Sequence, residues 1–163
     1  MRNIFFFLSL LFFFLISCAE KKKTTAEDKA SKSLELMAYD RSFSQMSESK
    51  GMKAAFIEFM DSNSVLLRPD QFPITGANAI DYLVLQNDTE YKLTWDPEHA
   101  DVAESGDLGF TYGIYMMQPA SKDTLYYGTY THIWRKQNDG KWKLVLNTTN
   151  EGLNESNEKI LSQ

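Results

Sequence analysis

The chain has 163 residues and a formal net charge of −5, with 43% hydrophobic and 13% aromatic side chains. That length allows one domain with an ordinary core and little else. The acidic balance excludes the concentrated basic face that nucleic-acid binding requires. A single cysteine excludes an intramolecular disulfide, so the domain must be stable on its core alone.

The first element is a leader. Arg2 supplies a short positive start, and Ile4 to Ile16 is an almost unbroken Phe/Leu/Ile run of 13 residues. Such a run falls short of the ~20 apolar residues of a membrane-spanning helix but suits the core of a signal peptide. With residues 1–17 removed, only Arg2 is lost from the charge count, and the remainder stands at −6. The run ends in Leu15-Ile16-Ser17-Cys18, which resembles the bacterial lipobox. That resemblance implies cleavage after Ser17, a diacylglycerol on Cys18 and acylation of the new amino terminus. Several acyl chains on one residue make a stable anchor, where a single chain is marginal. The expected location is the bacterial cell envelope, on its periplasmic or outer-membrane face. An uncleaved signal anchor or an ordinary secretory signal are the competing readings. The sole cysteine, lying at the end of the apolar run, favours the lipobox.

Residues 18–29 read as a flexible charged tether, with Lys21-Lys22-Lys23 solvated within it. From Ser31, Leu36, Tyr39, Phe43 and Met46 recur at helical steps. Ser49 and Gly51 break the pattern, and Met52, Ala55, Phe56 and Phe59 mark a second helix. Val65-Leu66-Leu67 is a short strand, and Pro69 and Pro73 give an extended loop. Thr75 is the expected N-cap of a third, short helix through Ile80, Leu83 and Val84.

The period then changes to two. Tyr91, Leu93 and Trp95 alternate with polar residues in a strand ending at Asp96-Pro97, and Ala100 to Glu104 forms another. Leu108, Phe110, Tyr112, Ile114 and Met116 share one face of the next strand; Gly109, Thr111, Gly113 and Tyr115 share the other. Leu125 to Lys136 is a long strand, and Asn138-Asp139-Gly140 turns it into a last strand over Lys141 to Thr148. A three-residue loop with Gly140 in the left-handed region pairs Trp134 with Leu144 and His132 with Leu146, placing the apolar side chains on one face. Residues 150–163 read as a polar tail.

Two helices, a strand, a short helix and then mostly antiparallel strands make an α+β order, with one sheet face buried on the helices. Several blocks carry a resemblance to a known family. They are Asp40 and Phe43, Gly51 with Ala55-Phe56, Pro73 and Gly76, the run from Ser105 to Gly113, Gly128-Thr129-Tyr130, Ile133-Trp134-Arg135-Lys136 and Asp139 to Lys143. Over residues 30–149 the chain resembles the nuclear-transport-factor-2-like superfamily, also called SnoaL-like or cystatin-like α+β cones. It is similar above all to bacterial branch members of unknown function. The resemblance implies a curved sheet of up to six strands wrapped on three helices around a conical pocket, with dimerisation through the sheet. It also implies a spread of chemistry, from isomerase-, cyclase- and dehydratase-type enzymes to members that only bind or assemble.

In isomerase-like relatives the base follows the first strand. Here that place holds Leu67-Arg68-Pro69, with no carboxylate before Asp70. Relatives' hydrogen-bond donors come from the first helix and from the strand before the last hairpin, where this chain has Tyr39 and His132. Tyr39 fits the apolar stripe as core with its hydroxyl at the cavity edge. His132 reads as a half-buried strand residue satisfied by a neighbour, with the polar end of a pocket as the competing reading. Asp40 reads as a helix-surface or structural carboxylate, with catalysis as its competing reading. Trp95, Tyr112, Tyr130, His132 and Trp134 are the candidate pocket wall. His99 and His132 lack ligand-spaced partners, so no metal is expected, and no phosphate-cradling glycine pattern calls for a cofactor.

The expected role is a lipid-anchored envelope protein binding a small apolar or aromatic ligand or a partner protein, as a homodimer. An isomerase-, cyclase- or dehydratase-type enzyme using His132 with a tyrosine is the alternative, and a purely structural assembly module is a third reading. An open cavity with His132 and a carboxylate converging inside would favour catalysis. An open apolar cavity would favour binding, and a filled cone would favour assembly.

Overall fold

The computed structural model describes residues 26–153. The leader, Cys18 and most of the expected tether and tail lie outside them. Nine elements follow in chain order: helix α1 (Ala26–Lys50), helix α2 (Met52–Phe59), strand β1 (Met60–Leu67), strand β2 (Ile74–Thr75), helix α3 (Ala77–Leu85), then strands β3 (Tyr91–Val102), β4 (Leu108–Pro119), β5 (Tyr126–Lys136) and β6 (Trp142–Glu151). The strands form one open six-stranded sheet in the order β2-β1-β6-β5-β4-β3. Every neighbouring pair is antiparallel except β1 with β6, which are parallel. The fold is α+β: helices first, then a curved mixed sheet that wraps them.

α1 begins at Ala26, five residues before the first helical signal at Ser31, so residues 26–29 belong to the helix and not to a tether. Its buried face carries Leu36, Asp40, Phe43, Ser44 and Ser47. Three of these five are polar, which is why the apolar stripe through Tyr39 and Met46 marks this face only in part. The polar positions meet the backbone of β3, the edge strand. Ser47 Oγ donates to the Leu93 carbonyl at 2.7 Å, the Trp95 N–H donates to Ser44 Oγ at 2.8 Å, and Arg41 Nη2 donates to the Pro97 carbonyl at 3.3 Å. The helix thus occupies the groups that β4 leaves unpaired and protects the edge of the sheet. No helix among the described residues is long and apolar enough to cross a membrane.

β3 is one strand, where the sequence suggests two separated at Asp96-Pro97. It passes through Pro97 with a register shift between Pro97 and His99. Proline is tolerated there because an edge strand does not need every N–H in the ladder. Opposite the bulge lies Gly113, where a Cβ would sit 2.0 Å from the Asp96 carbonyl oxygen. α3 is capped by Gly76 without a side-chain bond; Thr75, the expected N-cap, pairs in β2 with Val65 instead.

The faces of β4 are divided as expected, but the direction is the reverse of what residue size suggests. Gly109, Thr111 and Gly113 are buried, whereas Leu108, Phe110, Tyr112 and Ile114 face outward. α1 crosses this strand so closely that a Cβ on Gly109 would approach Leu36 Cδ2 to 2.7 Å. Small residues are required on the inside, and the large ones are left on the outer face.

The last hairpin uses the three-residue loop with Gly140 at φ 84°. Trp134 pairs with Leu144 as expected, but a bulge between Ile133 and Trp134 shifts the ladder, and His132 pairs with Asn147 instead of Leu146. One extra residue on β6 re-aims everything beyond it. That shift places Asn147 beside His132 on the concave face.

Candidate functional site

Asp40, near the middle of α1, is fully buried where a helix-surface position was one reading of the sequence. Three donors from the sheet reach its carboxylate. Trp95 Nε1 donates to Oδ1 at 2.9 Å, Tyr130 Oη donates to Oδ2 at 2.8 Å, and His132 Nδ1 lies 3.0 Å from Oδ1. An ionised carboxylate only accepts, so Nδ1 carries the proton in this pair. Burial on its own would raise the Asp40 carboxyl, but the charge of His132 and the hydrogen bonds of His132, Thr111 and Trp95 outweigh it and hold the carboxyl below the usual range. Tyr130 is pushed the other way, by burial first and then by the Asp40 charge and hydrogen bond, so its phenol stays protonated. The cluster is a preorganised polar knot inside an aromatic core. Phe43 stacks on Phe59 at 4.8 Å and meets Trp95 edge-on at 4.5 Å beside it.

In front of this knot, between the concave sheet face and the helices α2 and α3, lies an open cavity of about 230 Å³. Trp95, Tyr130 and His132 form its floor. Leu93 and Tyr91 continue the wall along β3, Tyr115 contributes from β4, and Phe56, Tyr82 and Leu83 close the helical side. With Nδ1 held by Asp40, Nε2 is the nitrogen of His132 left available to the cavity. Asp40 itself is not part of the wall; it touches the cavity only through the imidazole it holds.

Of the five residues expected in the pocket wall, the structure brings Trp95, Tyr130 and His132 together. Tyr112 lies on the opposite face of the sheet, 43% exposed, because β4 turns its glycines inward. Trp134 is fully buried in the core, donating Nε1 to Thr111 Oγ1 at 2.9 Å, and does not reach the cavity. Tyr39 does not line the cavity either: its ring packs against Phe59 at 5.1 Å and Trp134 at 5.7 Å. His132 is buried more completely than a half-buried strand position, and the neighbour that satisfies it is Asp40.

Two polar wall residues escaped the sequence reading. Arg68 follows the last residue of β1 and lines the cavity among the phenols of Tyr82, Tyr91 and Tyr115. Burial draws its guanidinium below its usual value, partly offset by these phenols, but an arginine stays charged. Nη1 donates to the Leu67 carbonyl at 2.9 Å. Among the described residues, no carboxylate lies within ion-pair distance of it. Asn147 is 2% exposed, and its Oδ1 is a buried acceptor with no hydrogen-bond partner. The signal for Arg68 was the Arg-Pro pair closing β1, a charge placed where the chain must turn back over the sheet. Asn147 had no signal, since its direction depends on the bulge.

No protein-family model and no curated protein matches the chain. Solved structures do match. A ketosteroid isomerase-like protein from Erwinia carotovora atroseptica superposes with a TM-score of 0.59 at 14% identity, covering 74% of this chain and 97% of that one. An NTF2-like protein with a cystatin-like fold from Novosphingobium aromaticivorans gives 0.55 at 13% identity, covering 80% and 88%. The CaMKII hub of S. rosetta gives 0.58 at 18% identity, covering 74% and 96%. At these identities the likeness is one of architecture. The chain has the NTF2-like, cystatin-like α+β cone fold.

Proposed function

We propose that this protein is a lipid-anchored envelope protein whose cone binds a small, largely aromatic molecule. The observation that carries the reading is the open cavity floored by Trp95, Tyr130 and His132. Side chains do not fill the cone, which disfavours a purely structural scaffold. The volume of about 230 Å³ lies below the ~300–1,000 Å³ of pockets for drug-sized ligands, so the ligand is compact. Anchoring through Cys18 rests on the lipobox resemblance and places the cavity in the envelope. Native mass spectrometry of protein purified from the envelope tests both parts, since bound ligand and diacylglycerol each add mass. A chain of unmodified mass that carries no ligand would overturn the reading.

One observation favours catalysis as a second reading. A buried carboxylate that orients a histidine, whose other nitrogen is available to a cavity, is the arrangement of a positioned general base. His132 would take a proton through Nε2, Asp40 would steady the resulting imidazolium, and Arg68 would sit near developing negative charge. Turnover abolished by His132→Gln while ligand binding persists would select this reading.

The outer sheet face supports self-association. Leu108, Phe110, Tyr112 and Ile114 are each 38–43% exposed along one strand. Contiguous apolar surface of this kind marks an interface, and we assign it to a second copy of the chain. Sedimentation of wild type and Tyr112→Lys tests it: the variant should be a monomer where the wild type is a dimer.

A further inference from the structure

We propose that the ligand of the cone is a small aromatic carboxylate, held by its carboxylate on Arg68. This inference rests on the ligand-binding reading above and specifies the chemistry of the ligand. Arg68 places a cation in the wall of an aromatic cavity. Arg68 is a cation without a carboxylate partner among the described residues, enclosed by tyrosines that supply no negative charge. A guanidinium in such a place recognises a planar carboxylate through paired N–H bonds.

Asn147 pairs with His132 at the floor. Thr149 and Glu151 follow it along the same face of β6 toward the mouth. Arg68 follows Leu67, which pairs with Thr148, so it lies about one two-residue strand step, roughly 7 Å, nearer the mouth than Asn147. Trp95, Tyr91 and Tyr115 line the same cavity as Arg68 and accept a ring edge-on or offset.

The charge balance points to a monoanion. The cavity offers one arginine, and the exposed Glu151 at its rim would repel a second negative charge. Glu151 is also the obvious internal competitor for Arg68, but it is not within ion-pair distance of it.

The test uses the full chain with 4-hydroxybenzoate and its neutral isostere 4-hydroxybenzamide, read by fluorescence of the tryptophans, of which Trp95 lines the cavity. The carboxylate should bind at least about ten-fold more tightly than the amide, the scale expected for charge-assisted hydrogen bonds. Arg68→Gln should erase that preference. Glu151→Gln should leave carboxylate binding intact or tighten it. Equal binding of the two probes by the wild type would overturn the anion assignment and leave the cavity reading standing. Binding of neither probe would overturn both. A preference that survives Arg68→Gln would overturn the role of Arg68.

Discussion

Asp40 Oδ1 and His132 Nδ1 lie 3.0 Å apart across 92 positions of sequence, joining the middle of the first helix to the centre of the sheet. The pair is buried at both ends, and Trp95 and Tyr130 complete the shell around the carboxylate. A charge so placed contributes to stability only while all its partners are present. Several outcomes follow from that dependence and from the packing around it.

Asp40→Asn keeps the shape and removes the charge. The amide presents an N–H₂ where a donor already points, so the variant should lose about 3 kcal/mol in urea unfolding. Tyr130→Phe removes one donor and should cost about 1–2 kcal/mol in the wild type. In the Asp40→Asn background the same change should cost much less, and a double-mutant cycle reads the difference. Additive costs would mean the phenol and the carboxylate do not cooperate.

Stability should fall at both ends of the pH range, for opposite reasons. The folded Asp40 carboxyl is held below its unfolded value near 4, so its contribution is whole above about pH 4 and is lost as pH falls through the lower folded value. The Tyr130 phenol is raised, so its contribution is whole below about pH 10 and is lost as pH climbs beyond that. Urea midpoints measured across pH should show both declines, and Asp40→Asn should flatten the acid one.

Gly113→Ala should be strongly destabilising, by about 3 kcal/mol or more, because its Cβ would meet the Asp96 carbonyl at 2.0 Å and the Pro97 Cα at 2.9 Å. The clash is with backbone, so no side-chain rotation relieves it. Gly140→Ala meets no atom within 4 Å, but φ is 84°, so its cost comes from backbone strain and should be nearer 1 kcal/mol. Thermal unfolding ranks the two.

Cys18→Ser should shift the protein from the membrane to the soluble fraction, or leave an unprocessed precursor, as read by fractionation and intact mass. Membrane retention with normal cleavage would show that Cys18 is not the anchor.

The fold class and most of the elements were legible in the sequence because they follow from local periodicity. The helical steps through Leu36 and Phe43, the alternation around Trp95 and the Asn138-Asp139-Gly140 turn each signal their own conformation. The candidate site was legible only in part. Trp95, Tyr130 and His132 share the inner sheet face by simple alternation. Tyr112 and Trp134 do not join them, because close passage of α1 over Gly109 turns the large side chains of β4 outward and Trp134 is taken up by the core. Asp40 becomes the centre of a buried network only when Trp95, Tyr130 and His132 arrive from distant strands. Arg68 and Asn147 face one cavity only because β1 runs parallel to β6 and a single bulge shifts the last strand. Patterns of two and 3.6 residues lie in the chain itself, whereas partnership between charges depends on register and on which elements are adjacent. That is why the sequence determined what this protein is built from, and the tertiary structure alone decided which groups meet in its cavity.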